Sequence, residues 1–315
     1  MPSYISHAIM GEQLYNEVYR SEQYVKVEIS KAELRGYSLG IDLSSLSKKV
    51  KTDPANSYTK DFLISMIIYI KENNLTENSS IMSLLYGHIA HYFLDSNTHP
   101  LIYYIEKGTE STSFISNHTL VEGYLDSYLA AQILSQDIMD VKPEYFSSFD
   151  LSNPEVIKLL NSTYGRIYND YQIIKSYKAV IALFNLMEKV KQKSKITKER
   201  LASLSRFKSY LQKNRLSTQE ITNECHLTYT NPVTGEKHNE SFMDLYYSSI
   251  DMALEAIKKV NAYLYSGYPI SILDNVFTGL SYDTGIDCSL GKRMIHVRKR
   301  QKRRRFTNIN SIDSI

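Results

Sequence analysis

The chain has 315 residues, enough to bury a sizeable core as one large domain or two small ones. Its 43% hydrophobic and 23% charged residues are ordinary for a globular protein, and its two cysteines, Cys225 and Cys288, lie outside any Cys-x-x-Cys pair and exclude a disulfide framework. The formal net charge of +3 is misleading: nine of the 37 Lys and Arg fall in residues 292–305, which hold no acid, so the rest of the chain carries −6.

The opening stretch MPSYISHAIMGEQLYNEVY has no basic segment followed by an apolar run, so a secretory signal is not expected. The longest apolar run, residues 62–70, is too short to span a bilayer. A cytoplasmic location is expected. Residues 5–20 carry a helical stripe at Ile5, Ile9, Leu14 and Val18, with His7 near its start. Residues 31–54 read as loop, with Gly36, Gly40, Asp42 and many serines. A nearly uniformly apolar helix is expected over 59–73, as befits a core position. Further helices are expected over 79–95 and 117–135. Pro100 biases its predecessor away from helix, which makes His99 the cap of the turn leaving the first of these. After a break over 142–154, residues 154–213 suit two or three long amphipathic helices. The loop TNPVTGEKHN (230–239) then precedes a strong helix over 242–265. With no repeat and no strand-rich block, the fold class is all-α.

The chemistry concentrates between residues 86 and 126, which hold four of the eight histidines. His91 and Asp95 stand four apart and project from one helical face. His118 and Glu122 repeat that spacing on the next helix, and His99 lies between the pairs. A lone His-x-x-x-Asp pair is ordinarily a surface hydrogen bond. Two such pairs in a short span, with a third His between them and apolar flanks, suit zinc or a similar divalent ion. His88 is better read as a histidine at the edge of the core or supporting a ligand than as a ligand itself. Neither a phosphate-cradling glycine loop, a nucleophile elbow nor a His-Glu-x-x-His motif occurs.

With these residues laid out, the chain resembles the zinc-dependent phospholipase C family. The core of the likeness is Gly87-x-x-x-His91-Tyr92-x-Leu94-Asp95, followed by His99-Pro100 and His118-x-x-x-Glu122. Ser6-His7, Leu39-Gly40-Ile41-Asp42, His226 to Pro232, Ser241-Phe242-x-x-Leu245-Tyr246 and Thr278-Gly279-Leu280 extend it to roughly residues 2–285. The resemblance implies a multi-helical fold shared with fungal zinc-dependent single-strand nucleases. Residues 1–290 are expected to form one domain and 291–315 a basic, disordered tail.

The resemblance also implies a cluster of two or three zinc ions. One would take His99, His118 and Glu122. A second would take Asp42, His91, Asp95 and a histidine fourteen residues after Asp42, where this chain has Asn56. A third would take His7, Asp95 as a bridge, and a terminal amine, which Pro2 would supply if Met1 is removed. The implied chemistry is phosphoester hydrolysis by close-set ions about 3.5–4 Å apart, with Asp42 orienting or deprotonating the attacking water. The substrate would be a phospholipid or another phosphodiester. Two alternatives stand beside this: a degenerate zinc-binding member that binds a ligand or partner without turnover, favoured by Asn56, and a single-strand nuclease. The tail at 292–305 is a solvated run of like charge or a contact with an anionic membrane surface or nucleic acid.

Overall fold

The computed structural model describes residues 4–21, 23–42, 58–108, 117–142, 145, 152–164, 175, 177–179, 181–182, 185 and 218–291. Its described helices are α1 (Tyr4–Tyr19), α2 (Lys31–Tyr37), α3 (Thr59–Glu72), α4 (Ser79–Gly108), α5 (Asn117–Leu134), α6 (Pro154–Tyr164), α7 (Thr218–Thr222) and α8 (Phe242–Tyr265). Among the described residues the fold is all-α apart from short 3-10 turns and one two-stranded ribbon. In that ribbon β1 (Tyr229–Thr230) runs antiparallel to β2 (Lys237–His238), with Tyr229 opposite His238. Among the described residues no helix is long and apolar enough to cross a membrane.

The axis of the fold is α4. Between Ile81 and Ile102 nearly every side chain is buried, so the helix has no solvent face and lies inside a shell of others. Helices α1, α2, α3, α5, α6 and α8 all pack against it. Polar side chains pin some of these contacts. The Tyr86 hydroxyl on α4 donates to Asn261 on α8 (2.8 Å), and Asn97 donates to the Leu245 carbonyl (2.8 Å). Helix α8 starts on a full capping box, in which the Ser241 side chain accepts from the Asp244 N–H and the Asp244 carboxylate accepts from the Ser241 N–H.

Two expectations from the sequence are corrected. Residues 31–37 are a helix, not loop: Ser30 caps α2 by accepting from the Glu33 N–H, a start signal that the glycines at 36 and 40 obscured. Pro100 does not end its helix either. Helix α4 continues to Gly108, so His99 lies inside the helix and is not the cap of a turn. Proline in a helix interior costs about 3 kcal/mol. Burial of Leu94, Leu101, Ile102 and Ile105 on both sides of Pro100 offsets that cost.

Pro100 has no N–H to donate to the Ser96 carbonyl one turn back. The loop after residue 280 comes down on that spot, and Gly285, at φ +67, brings its backbone against it. A Cβ on Gly285 would sit 2.2 Å from the Ser96 oxygen and 2.9 Å from Pro100 Cγ. No other residue fits there. Gly285→Ala is therefore expected to destabilise the protein by about 1–3 kcal/mol through strained φ and overpacking, read as a lower midpoint in denaturant with an unchanged slope.

Candidate metal centre

Since α4 is buried all round, polar side chains on it must meet partners inside the protein. His91, Asp95 and His99 follow one another at intervals of four and form a polar stripe down one side. Helix α1 brings His7 to this stripe. His7 Nε2 lies 3.2 Å from Asp95 Oδ1, His91 Nε2 lies 3.1 Å from Asp95 Oδ2, and the His7 and His91 rings stack with centroids 4.2 Å apart. Asp42 joins from the turn after α2, with oxygens 3.7 Å from His7 Nε2 and 3.8 Å from His91 Nε2. Gly40 makes that approach possible. Its φ is +50, and a Cβ there would stand 2.5 Å from the His91 ring.

A second cluster lies one turn along. His99 and His118 stack with ring centroids 5.5 Å apart and planes within 6°. His118 Nε2 lies 3.0 Å from Glu122 Oε1. Asp95 links the two clusters, because His99 Nδ1 is 3.8 Å from its Oδ1. Ligand atoms of His7, His91 and Asp95 all lie within 4.8 Å of one another, and so do those of His99, His118 and Glu122.

Both nitrogens of His7, Nε2 of His91 and both oxygens of Asp95 are buried, and apart from the close His–carboxylate approaches they meet no hydrogen-bond partner among the described residues. Groups of this kind are costly to bury unless something satisfies them. Imidazole nitrogens and carboxylate oxygens that converge this closely are the donor set of a zinc site. The rings are also held as ligands should be. The Nδ1–H of His91 donates to the Ser38 carbonyl (3.1 Å), which leaves Nε2 facing the carboxylates.

The electrostatics agree with the geometry. Burial pushes His7 down to about 4, and the neighbouring His91 adds to the shift. Burial lowers His99 well below its ordinary value. Both are thereby biased toward the neutral form that ligation requires. His91 and His118, with burial opposing, are raised by Asp95 and Glu122 and would give up a proton to a bound cation. Burial works against the charge on Asp95, but His91, His7 and His99 outweigh it and hold the carboxyl well below its usual range. Glu122 is lowered in the same way, burial again opposing and His118 prevailing.

A zinc-dependent phospholipase C family model matches residues 6–203, which span both clusters and more than half of the chain. The chain belongs to that family. No curated protein and no solved structure matches it. For a zinc-dependent phospholipase C, six of the residues picked out in the sequence (His7, His91, Asp95, His99, His118 and Glu122) stand in the two clusters, and Asp42 stands beside the first. Pro2 and Asn56 lie outside the described residues, as does the basic stretch 292–305.

His88 belongs to neither cluster. Its Nδ1–H donates to the Leu84 carbonyl (2.9 Å) and its Nε2 accepts from the Tyr164 hydroxyl (2.8 Å), which ties α4 to α6. One residue that sequence reasoning missed is Glu106, whose Oε2 lies 3.3 Å from His118 Nδ1. It fixes that ring from behind, as the acid of a carboxylate–histidine pair. Its twelve-residue separation from His118 crosses the connection between α4 and α5, where helical spacing gives no signal.

Two outcomes follow. Burial lowers His88 to about 4. Between pH 6.5 and 4 the unfolded chain takes up a proton there that the folded chain refuses. Stability present above pH 6.5 is thus lost on acidification, on the order of 3 kcal/mol by pH 4. In the metal-free chain, His88→Gln should flatten the pH dependence of the thermal midpoint over that range. Glu106→Gln should weaken zinc retention by the His118 cluster by about 10-fold or more, measured by competition with a chromophoric chelator.

Proposed function

We propose that the chain is a metal-dependent phosphodiester hydrolase acting on phospholipid, with zinc held by His7, Asp42, His91 and Asp95 on one side and by His99, His118 and Glu122 on the other. The observation that carries this reading is the convergence of two buried His–carboxylate clusters on a shared Asp95. When bound, divalent ions supply a charge that polarises a phosphoryl oxygen and makes water more acidic.

The remaining work falls to side chains. Asp42 is buried beside the first cluster but comes from a turn, not from a helix of the bundle. On this reading one of its carboxylate oxygens accepts the proton of the attacking water. Asp95 holds His7 and His91 in register from one carboxylate. Glu106 orients His118, and Tyr103, whose ring lies 4.6 Å from that of His118, forms a wall that limits how the ring can turn. The nine cations of 292–305 would draw the chain toward an anionic membrane surface.

A second reading rests on Asn56, which stands where the resemblance expects a histidine: the ions are kept for structure and turnover is lost. Elemental analysis of the purified chain, paired with hydrolysis of a soluble chromogenic phosphodiester, of phosphatidylcholine vesicles and of single-stranded DNA, separates these readings. Bound zinc and chelator-sensitive hydrolysis of the lipid are expected, with Asp42→Asn lowering kcat about 100-fold or more while the zinc of the His99, His118 and Glu122 cluster stays bound. Zinc without hydrolysis of any substrate would establish the second reading. Cleavage of DNA alone would make the chain a nuclease, and absence of zinc would overturn both.

A further inference from the structure

Helix α5 carries a second buried carboxylate that the chemistry above does not use. Asp126 lies one turn beyond Glu122 on the same face of α5 and is fully buried. Its Oδ1 accepts two hydrogen bonds from a single residue 120 positions away, the Ser6 N–H at 2.9 Å and the Ser6 hydroxyl at 2.5 Å. Ser6 is itself fully buried and immediately precedes His7.

The position of Ser6 explains why a carboxylate is placed there. It is the third residue of α1, in the turn whose N–H groups find no acceptor within the helix. A cap usually comes from the residues just before the helix. Here an acceptor for α1 comes from another helix, and its negative charge also favours the positive end of the helix dipole. The bond therefore fixes the start of α1 against α5. It acts one residue from His7 on one side and one turn from Glu122 on the other.

The two clusters occupy different elements. His7 rides on α1, while His118 and Glu122 ride on α5, with α4 between. A hydrogen bond can hold α1 at any height along α5, but only one height puts His7 Nε2 within 3.2 Å of Asp95. We infer that Asp126 is the positioning residue that sets this height, so that the Ser6–Asp126 bond makes the His7, His91, Asp95 cluster competent to hold its ion. Asp126 acts through Ser6, the neighbour of His7 in the chain. The inference rests on the metal-binding reading above.

The test is a chelator titration of the zinc-loaded chain, with His7→Ala and His118→Ala marking which step belongs to which cluster. Asp126→Asn keeps the shape and an oxygen that can accept, but removes the charge that strengthens both bonds. It should release the His7-cluster ion at about 10-fold lower chelator concentration, reproducing the His7→Ala pattern, and leave the His118-cluster step in place. Ser6→Ala, which keeps the backbone N–H, should shift the same step in the same direction by a smaller factor, and it carries the test if Asp126→Asn does not fold. A merely structural role would lower the thermal midpoint and leave both steps unmoved or shift them equally. Either result in both variants overturns the inference while the metal reading stands. A wild-type chain without zinc overturns the metal reading, and this inference with it.

Discussion

Asp95 is the residue on which the rest of this structure depends. It is a carboxylate with no exposure, set in the middle of a helix that is buried on every side. Alone, such a charge costs several kcal/mol to bury. It is tolerated because three imidazoles from two helices, His7, His91 and His99, gather around it. That grouping in turn dictates what packs where. Helix α1 must approach with His7 foremost, the turn after α2 must come close enough to admit Asp42, and Gly40 must have no side chain. A bundle held by apolar contacts alone would tolerate sliding between its helices. A buried polar centre with directional partners does not.

The site was more legible in the sequence than the frame around it. His91–Asp95 and His118–Glu122 could be found because a helix writes its face as a fixed interval, and a ligand pair at that interval survives in the linear text. His7 and Asp42 lie far from those pairs in sequence and on other elements, so only likeness to a family pointed to them. Glu106 and Asp126 escaped altogether. They act across gaps that no helical period spans, one over the connection between α4 and α5, the other over 120 residues. Local rules also misled at Pro100. The residue-level bias against helix there is real, but it is small against the burial of a central helix on both sides.

The polar network shows a division of labour among similar residues. His7, His88, His91 and His99 are all buried, yet they differ in what their nitrogens meet. His88 has a carbonyl and a phenol, one for each nitrogen, and is complete as a structural cross-link. His91 spends one nitrogen on a carbonyl and turns the other to Asp95 and Asp42. His7 has no carbonyl or hydroxyl partner among the described residues and turns Nε2 to Asp95. Burial alone would not separate these roles; the accounting of each nitrogen does.

The seat of Gly285 on α4 bears on how the protein is made. The seven candidate ligands in the structure all precede residue 123, and the family match ends at residue 203. Yet the parts that steady them come from the far end of the chain. Gly285 rests on the Ser96 carbonyl beside Pro100, Tyr282 lies with its ring 5.3 Å from that of His91, and the Leu280 N–H donates to the Tyr92 hydroxyl at 3.0 Å. During synthesis the ligands therefore leave the ribosome well before their support does. A nascent chain of two hundred residues holds the full alphabet of the centre but not its last wall. Assembly of the centre is thereby tied to synthesis of the chain past residue 285, and a fragment cut to the matched span 6–203 would carry the ligands without the contacts from residues 280–285.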